Sequence, residues 1–109
     1  MNDITPTQWA WIAGLLEGEG CFTISSGYPR IILKMTDKDI VERFANFFGV
    51  KVYQRETADP KHKTQWHCQV AKKTLVHNIA CHIHEYLGER RRAAIAEWYC
   101  LWEDLKLPN

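Results

Sequence analysis

One stretch, W-A-W-I-A-G-L-L-E-G-E-G-C-F from Trp9 to Phe22, constrains the fold of this chain more than any other. Its apolar residues recur at helical spacing as far as Leu16, after which Gly18 and Gly20 break the pattern. The stretch therefore predicts a helix that runs directly into a strand, with two carboxylates at the junction.

The start of this helix is marked by Thr5 as N-cap, Pro6 at the first helical position and Gln8, which completes a capping box. The side predicted to face the core carries four apolar residues, Trp9, Ile12, Ala13 and Leu16. A second, nearly bare stripe repeats every four residues at Ala10, Gly14 and Gly18. Because a glycine inside a helix costs about 1 kcal/mol relative to alanine, this stripe predicts a close contact with another helix.

Two acids, Glu17 and Glu19, fall at the C-terminal end of the predicted helix. The helix dipole is negative there and unpaired carbonyls point outward, so carboxylates are electrostatically unfavourable at this end. A divalent cation would reverse that argument, since carboxylate and carbonyl oxygens together suit Mg²⁺. The alternative is an ordinary core helix whose glutamates are solvated before a turn.

Length and composition limit the number of domains and the class of protein that the chain can form. A chain of 109 residues predicts a single domain, residues 1–109. It carries no apolar run near the roughly 20 residues of a membrane span and no signal-peptide pattern, so we expect an intracellular protein. Its net charge of +1 does not by itself indicate a nucleic-acid binder. Cys21, Cys68, Cys81 and Cys100 lack C-x-x-C spacing and are expected to be reduced, mostly buried thiols.

The rest of the chain alternates pairs of strands with helices. Strands are predicted over 21–26 and 30–36, joined by a turn at 27–29, and over 50–56 and 65–71, joined by a polar loop. Helices are predicted over 37–48, closed by Gly49, over 72–86 and over 89–105, the last with Ala94, Trp98, Leu101 and Leu105 on its buried face. The order α-β-β-α-β-β-α-α predicts an α+β fold in which helices cover one face of an antiparallel sheet.

The uncovered face of that sheet is expected to be polar and to bind DNA, because two-stranded ribbons fit the major groove and its side chains suit base edges and phosphates. The candidate DNA-binding residues on the strands and the polar loop are Thr23, Ser25, Arg30, Lys34, Arg55, Lys61, Lys63, Gln65, His67 and Gln69. The facing of strand 50–56 stays open, since a bulge after Gly49 would turn Gln54 and Glu56 outward instead.

Residues 12–20, I-A-G-L-L-E-G-E-G, resemble the nine-residue signature of the LAGLIDADG homing endonucleases, with both acids present as Glu rather than Asp. The predicted order of elements is similar to that fold over essentially the full chain. The resemblance implies a saddle-shaped antiparallel sheet that straddles double-stranded DNA. Because the signature occurs once, it also implies a homodimer joined through the signature helices, here at Ala10, Gly14, Glu17 and Gly18.

The resemblance implies an active site as well. Glu19 stands at the second acidic position, which would hold Mg²⁺ (or Mn²⁺) with help from the Gly18 carbonyl and opposite its counterpart in the second subunit. Glu17, at the first acidic position, is expected to support the helix interface or its ends rather than the chemistry. Arg90 resembles the family's basic residue near the cleavage site. Asp37 stands where the family organises water, although an Asp there is equally an N-cap.

Three details of the sequence bear on this expectation. Arg90, Arg91 and Arg92 open the last helix, where the dipole disfavours positive charge, so either a nearby anion such as DNA phosphate or simple solvation must account for them. The basic residue that the family often carries one turn after Asp37 has no match at Val41 or Glu42. A zinc site among the histidines and cysteines is not expected, because paired ligand spacing is missing.

We interpret the sequence as that of a homodimeric, divalent-metal-dependent homing endonuclease that cuts both strands of a long pseudo-palindromic target. Such a chain would be encoded by a mobile intron or an intein and act in a bacterial or phage-infected cytoplasm or an organelle. The alternative is a non-cleaving nucleic-acid-binding protein of the same fold, such as a transcription regulator or an intron-splicing maturase. A purely structural dimerisation domain is disfavoured by the polar sheet face and the basic loop.

Overall fold

The computed structural model describes residues 3–55, 61 and 63–108. The elements within these residues are helix α1 (Pro6–Glu19), strands β1 (Gly20–Ser25) and β2 (Tyr28–Met35), helix α2 (Lys38–Phe48), strands β3 (Tyr53–Arg55) and β4 (Gln65–Val70), helix α3 (Lys73–Ile83), a 3-10 turn (His84–Tyr86) and helix α4 (Glu89–Leu101). The predicted α+β order is confirmed.

Helix α1 begins as its sequence predicts. The Thr5 hydroxyl accepts from the Gln8 backbone N–H at 3.2 Å, and the Gln8 side chain accepts from the Thr5 N–H at 2.9 Å. The four residues predicted to face the core are all buried: Trp9, Ile12, Ala13 and Leu16. Glu19 ends the helix and Gly20 begins β1, so the helix passes into the sheet without a loop.

The four strands form one antiparallel sheet in the order β1-β2-β4-β3. The turn between β1 and β2 is shorter than predicted, because Tyr28 and Pro29 belong to β2 and pair with Ser25 and Ile24. Ser26 and Gly27, with φ of 53° and 82°, make the connection. Two consecutive residues with positive φ form the two-residue hairpin turn whose twist matches that of the strands, and this geometry displaces the predicted turn at 27–29.

The two faces of the sheet follow the predicted alternation. On β2, Ile31 and Leu33 are fully buried beneath the helices, whereas Lys34 is exposed. Pairing of Arg55 with Gln65 puts Arg55 on the outer face, which decides the facing of β3 that the sequence left open. The alternative outward position Glu56 lies outside the described residues.

The C-terminal helices differ from the prediction. Regular α3 ends at Ile83 and the chain continues as the 3-10 turn, and α4 ends at Leu101 rather than at residue 105. Leu101 is 50% exposed, while Trp98 and Trp102 are buried with ring centroids 5.9 Å apart. Burial of Trp102 turns the chain off the helix axis, so the predicted buried face through Leu101 is wrong.

The expectation that the cysteines are mostly buried is also wrong. Cys68 on β4 is buried and Cys81 is half-buried, whereas Cys21 and Cys100 are exposed. All four are free thiols. Among the described residues, no helix combines the length and the apolar character that crossing a bilayer requires.

Candidate nucleic-acid interface

The face of the sheet that the helices leave uncovered is lined by polar side chains. Cross-strand pairing unites Thr23 with Arg30, Lys34 with His67 and Arg55 with Gln65 on this face. Gln69 joins them through its pairing with Ile32, and Ser25 through its pairing with Tyr28. The strand residues predicted to bind DNA therefore occupy one continuous surface.

Four residues of this surface were not among the predicted binding residues: Cys21, Tyr28, Ile32 and Tyr53. The sequence predicts Tyr28 in the turn at 27–29. It places Tyr53 in strand 50–56, for which it does not decide which side chains point outward. Tyr53 is 53% exposed, and its ring stacks on His67 with centroids 5.5 Å apart. Once the register of β3 against β4 is known, strand parity alone brings Tyr53 onto the surface.

Two polar atoms on this surface are buried without a hydrogen-bond partner among the described residues. They are Arg30 Nε and His67 Nδ1. Buried polar groups in folded proteins are almost always paired, so such atoms mark places where a polar partner would be favourable. The loop that carries Lys61 and Lys63 lies beside the surface in sequence, and both side chains are exposed, while residues 56–60 and 62 are outside the described part of the chain.

The junction of α1 and β1 sets the position of the predicted metal ligand. Glu19, the last residue of the helix, is exposed, and the N–H of Gly20 donates to the Leu16 carbonyl. A Cβ on Gly20 would lie 2.8 Å from the same Leu16 oxygen, so this position admits only glycine without a backbone shift. Gly18 is exposed as well, one residue before Glu19.

Glu17 turns away from the exposed end of α1 and contacts the start of α4. Its carboxylate accepts a hydrogen bond from the Gly88 N–H, and its second oxygen lies 3.6 Å from Arg91 Nε. This contact spans 71 positions of the chain. Glu17 therefore joins the end of α1 to the start of α4. Its role in supporting the helix interface or the helix ends stays a prediction.

The three arginines that open α4 have different environments. Arg91 donates to the Gly20 carbonyl, and Arg92 donates to the carbonyls of His84 and Glu85 at 3.1 and 2.7 Å. Arg90 is exposed. Backbone carbonyls therefore account for Arg92 and, together with the Glu17 carboxylate, for Arg91. Arg90 has no hydrogen-bond or ion-pair partner among the described residues and can meet an external anion.

Asp37 occupies the N-cap position of α2, but its side chain makes no capping hydrogen bond and is exposed. One turn later, Val41 is fully buried and Glu42 is exposed, with an oxygen 3.9 Å from Lys38 Nζ. Neither residue supplies a basic group.

The bare stripe of α1 is open to solvent. Ala10, Gly14 and Gly18 are exposed, and a Cβ built on Gly14 or Gly18 would meet nothing within 4 Å. Nothing within the described chain explains the two glycines by close packing.

The histidines and cysteines of α3 are occupied by structural contacts. His77 Nδ1 lies 2.7 Å from the Tyr99 hydroxyl, and Cys81 Sγ lies 3.6 Å from His77 Nε2. Burial raises the pKa of both the Cys81 thiol and the Tyr99 hydroxyl above their ordinary values, so neither group is activated. In the described ranges no three His, Cys, Asp or Glu side chains are gathered closely enough to hold a metal ion.

A comparison with protein-family models matches residues 6–84 to the LAGLIDADG-like domain. The chain belongs to this family. The match covers α1, the sheet, α2 and α3, and it ends at the first residue of the 3-10 turn. The Glu19 junction and the polar surface therefore both lie in the LAGLIDADG-like region. The predicted family is confirmed. No curated protein matches the chain.

Solved structures with the LAGLIDADG fold match over most of the chain. Two are complexes of the homing endonuclease I-CvuI, one with the I-CreI target in the presence of Mg, described as revealing DNA not cleaved, and one with its own target in the presence of Ca. They are 16% and 17% identical, with TM-scores of 0.61 and 0.62, and cover 88% and 89% of this chain. The match spans 66% and 67% of those chains.

A third structure, the archaeal intron-encoded homing endonuclease I-Vdi141I complexed with DNA, has a TM-score of 0.63 at 14% identity. That match covers 82% of this chain and 63% of the other. The present chain thus spans about two-thirds of the length of these LAGLIDADG structures. At such identities the likeness shows the shared fold.

Proposed function

We propose that this protein is a site-specific homing DNA endonuclease that works as a homodimer and cuts both strands of a long pseudo-palindromic target. One observation carries the proposal. The exposed carboxylate of Glu19 lies directly before the first residue of β1, and β1 is the edge strand of the sheet that bears the continuous polar surface. A DNA-binding surface and a candidate ligand for a divalent cation are thereby adjacent.

Double-stranded DNA is the partner that the polar surface favours. Arg30, Lys34 and Arg55 supply positive charge for phosphates, and Gln65 and Gln69 supply the paired donor and acceptor that read base edges. The exposed Lys61 and Lys63 extend this charge along the neighbouring loop. Three structures of the same fold, of two proteins, are described as complexes with DNA or with a DNA target.

A homodimer accounts for the open stripe of α1. Glycine is costly within a helix, and the space beyond Gly14 and Gly18 is filled by no described residue. A second copy packed across Ala10, Gly14 and Gly18 would use that space, and it would bring two copies of Glu19 together. Two carboxylates held near one another repel, and a cation bound between them would offset that repulsion.

The residues at the junction fit Mg²⁺ or Mn²⁺. A carboxylate at the end of a helix, next to backbone carbonyls without intrahelical partners, offers the hard oxygen ligands that these ions prefer. Glu19 would hold the cation together with the Gly18 carbonyl and the equivalent atoms of the second copy. When bound, the cation would polarise the scissile phosphate and activate the attacking water.

Two further residues would act on the same phosphate. Arg90, exposed at the start of α4, would stabilise the negative charge that develops during phosphodiester hydrolysis, but as a guanidinium it would be a poor proton donor. Asp37, whose carboxylate is not engaged in capping α2, would accept a hydrogen bond from the attacking water and orient it.

A second candidate function is supported by the start of α2. Val41 is buried and Glu42 pairs with Lys38, so this position presents no basic group to a phosphate. A protein that binds DNA or RNA on the same surface without cutting it, such as a transcription regulator or an intron-splicing maturase, would not need one.

Incubation with a randomised pool of double-stranded DNA, with and without Mg²⁺, tests the two functions directly. The endonuclease is expected to cut a selected target on both strands in Mg²⁺ and to leave it intact in chelator. Selective binding without cleavage would favour the second function. Failure to select any DNA sequence would contradict the endonuclease and the DNA-binding form of the second function, and the same selection from an RNA pool tests its RNA-binding form.

A further inference from the structure

Arg91 connects two parts of the proposed active site that are far apart in sequence. Its guanidinium donates to the carbonyl of Gly20, the residue that follows Glu19, and its Nε lies 3.6 Å from the Glu17 carboxylate. The Arg91 side chain is only 16% exposed, and its Cζ lies 5.7 Å from the centre of the Phe22 ring. The guanidinium is therefore held on the α1–β1 junction from several sides.

We propose that Arg91 is a positioning residue for DNA cleavage, which fixes Arg90 of α4 relative to Glu19 of α1. This inference rests on the proposed function, because it takes Glu19 and Arg90 as the groups that act on the phosphate. Arg91 packs against the Phe22 ring and the Gly20 carbonyl rather than on the polar surface of the sheet, so it would not contact DNA there. It acts through the two segments that it joins.

Two contacts hold the C-terminal end of α1 against the N-terminal end of α4. Glu17 accepts the Gly88 N–H, and Gly88 is the N-cap residue of α4, while Arg91 reaches back from the first turn of α4 to Gly20. Two crossed connections of this kind fix both the distance between the helix ends and the rotation of α4 about its axis. Because Arg90 precedes Arg91 on the same helix, that rotation sets the direction of the Arg90 side chain.

The space around Gly88 shows that the end of α1 lies close to the start of α4. A Cβ placed on Gly88 would lie 3.1 Å from the Glu17 carboxylate oxygen, so even alanine would push the two ends apart unless Glu17 moved. The flat guanidinium suits Arg91 to this role, since it can donate to a carbonyl and face a carboxylate at the same time. A lysine ammonium would lack the planar fork needed to span both groups.

Arg92 provides a matched control, because it lies in the same turn of α4 and also donates to backbone carbonyls, those of His84 and Glu85. Each arginine is changed to Gln, and cleavage of the selected target is measured well below the melting temperature of both variants. We expect Arg91→Gln to lower kcat at least about 10-fold, with KM for DNA within about twofold, since small misplacements of reacting groups cost this much or more. Arg92→Gln should lower the melting temperature but leave kcat within about twofold of the wild type.

Equal losses of kcat in the two variants, or no loss in Arg91→Gln, would overturn the proposal while leaving the endonuclease function intact. Absence of cleavage by the wild type would instead refute the endonuclease function. A second measurement does not depend on cleavage: the amide chemical shifts of Glu19, Gly20 and Gly88 in the free protein should move in Arg91→Gln and stay in place in Arg92→Gln. Unmoved amides in Arg91→Gln would overturn the positioning role whatever the activity.

Discussion

Tyr53 on β3 lies directly opposite His67 on β4, and the two rings stack at an interplanar angle of 26°. Both side chains belong to the polar surface of the sheet. The stack fixes the imidazole, and it leaves the Tyr53 hydroxyl on a side chain that is 53% exposed. If the surface binds DNA as proposed, the pair would hold one donor or acceptor in a fixed position against the bases.

Changing Tyr53 to Ala is expected to relax sequence preference at about one base pair, because His67 would lose the ring that orients it. The cost should be about 1 to 3 kcal/mol of discrimination at that position, with little change in the salt dependence of binding. Tyr53→Phe keeps the stack and serves as the control. Competition binding against single-base variants of the target measures both. A uniform loss on all sequences would contradict base readout by this pair.

Glu19→Gln preserves the shape of the side chain and removes the charge that would hold a divalent cation. Cleavage is expected to fall by a factor of roughly a thousand or more, since Lewis acidity and water activation are lost together. DNA affinity in metal-free buffer should be unchanged or slightly higher, because a carboxylate repels the phosphate backbone. Glu17→Gln should lose less activity than Glu19→Gln, but it should lower the free energy of unfolding, since the Glu17 carboxylate accepts the Gly88 N–H and so joins α1 to α4. Undiminished Mg²⁺-dependent cleavage by Glu19→Gln would falsify its role as ligand.

Two substitutions of Gly14 should distinguish effects on the folding of one protomer from effects on the proposed dimer. A Cβ there meets nothing within 4 Å, so Gly14→Ala should fit the isolated chain and favour the helix by about 1 kcal/mol. Gly14→Leu should prevent two α1 helices from approaching and yield a folded monomer. Ala96→Leu, at an exposed position of α4, controls for the added apolar surface. A Gly14→Leu protein that still sediments as a dimer at micromolar concentration would rule out the α1 interface.

The two exposed cysteines can be used to test which face of the protein is covered by the proposed DNA target. Cys21 lies on the polar surface and Cys100 on α4, so both should react with a thiol reagent in the free protein. Bound target DNA is expected to slow modification of Cys21 severalfold and to leave Cys100 unaffected. Mass spectrometry of the labelled peptides measures each site. Equal protection of the two thiols, or protection of Cys100 alone, would argue against the polar surface as the binding site.

Alkaline pH should destabilise the fold through Cys68. Burial raises the pKa of this thiol from 9.0 to about 11. Below pH 9 the thiol is protonated in both the folded and the unfolded chain. Between about pH 9 and 11 the thiol ionises only in the unfolded chain, so the free energy of unfolding should fall as the pH rises through this range. Urea titrations at several pH values measure the slope. Cys68→Ala should flatten it, and an unchanged slope in that variant would assign the effect to other groups.

Features that depend on neighbouring residues could be predicted from the sequence, and features that depend on distant contacts could not. The capping box of Thr5 and Gln8 and the alternation of Ile31 and Leu33 are local patterns, and the structure has them as expected. The end of α4 was misplaced because burial of Trp102, a tertiary effect, overrides helical spacing. The role of Arg91 was hidden for the same reason, since its partners Gly20 and Glu17 lie more than 70 positions away.

The strict alternation along β2 has a consequence for how such a protein could acquire a new target. Ile31 and Leu33 carry the fold on one side, while Arg30 and Lys34 face outward and bear little of the core. Substitutions at exposed positions usually change stability by no more than about 0.5 kcal/mol. The exposed outward residues, such as Ser25 and Lys34, can therefore be randomised with little effect on the scaffold, whereas Arg30 is half-buried and its Nε is buried. For the endonuclease proposed above, libraries for retargeting can be confined to the exposed outward positions of the sheet, while the buried positions stay constant.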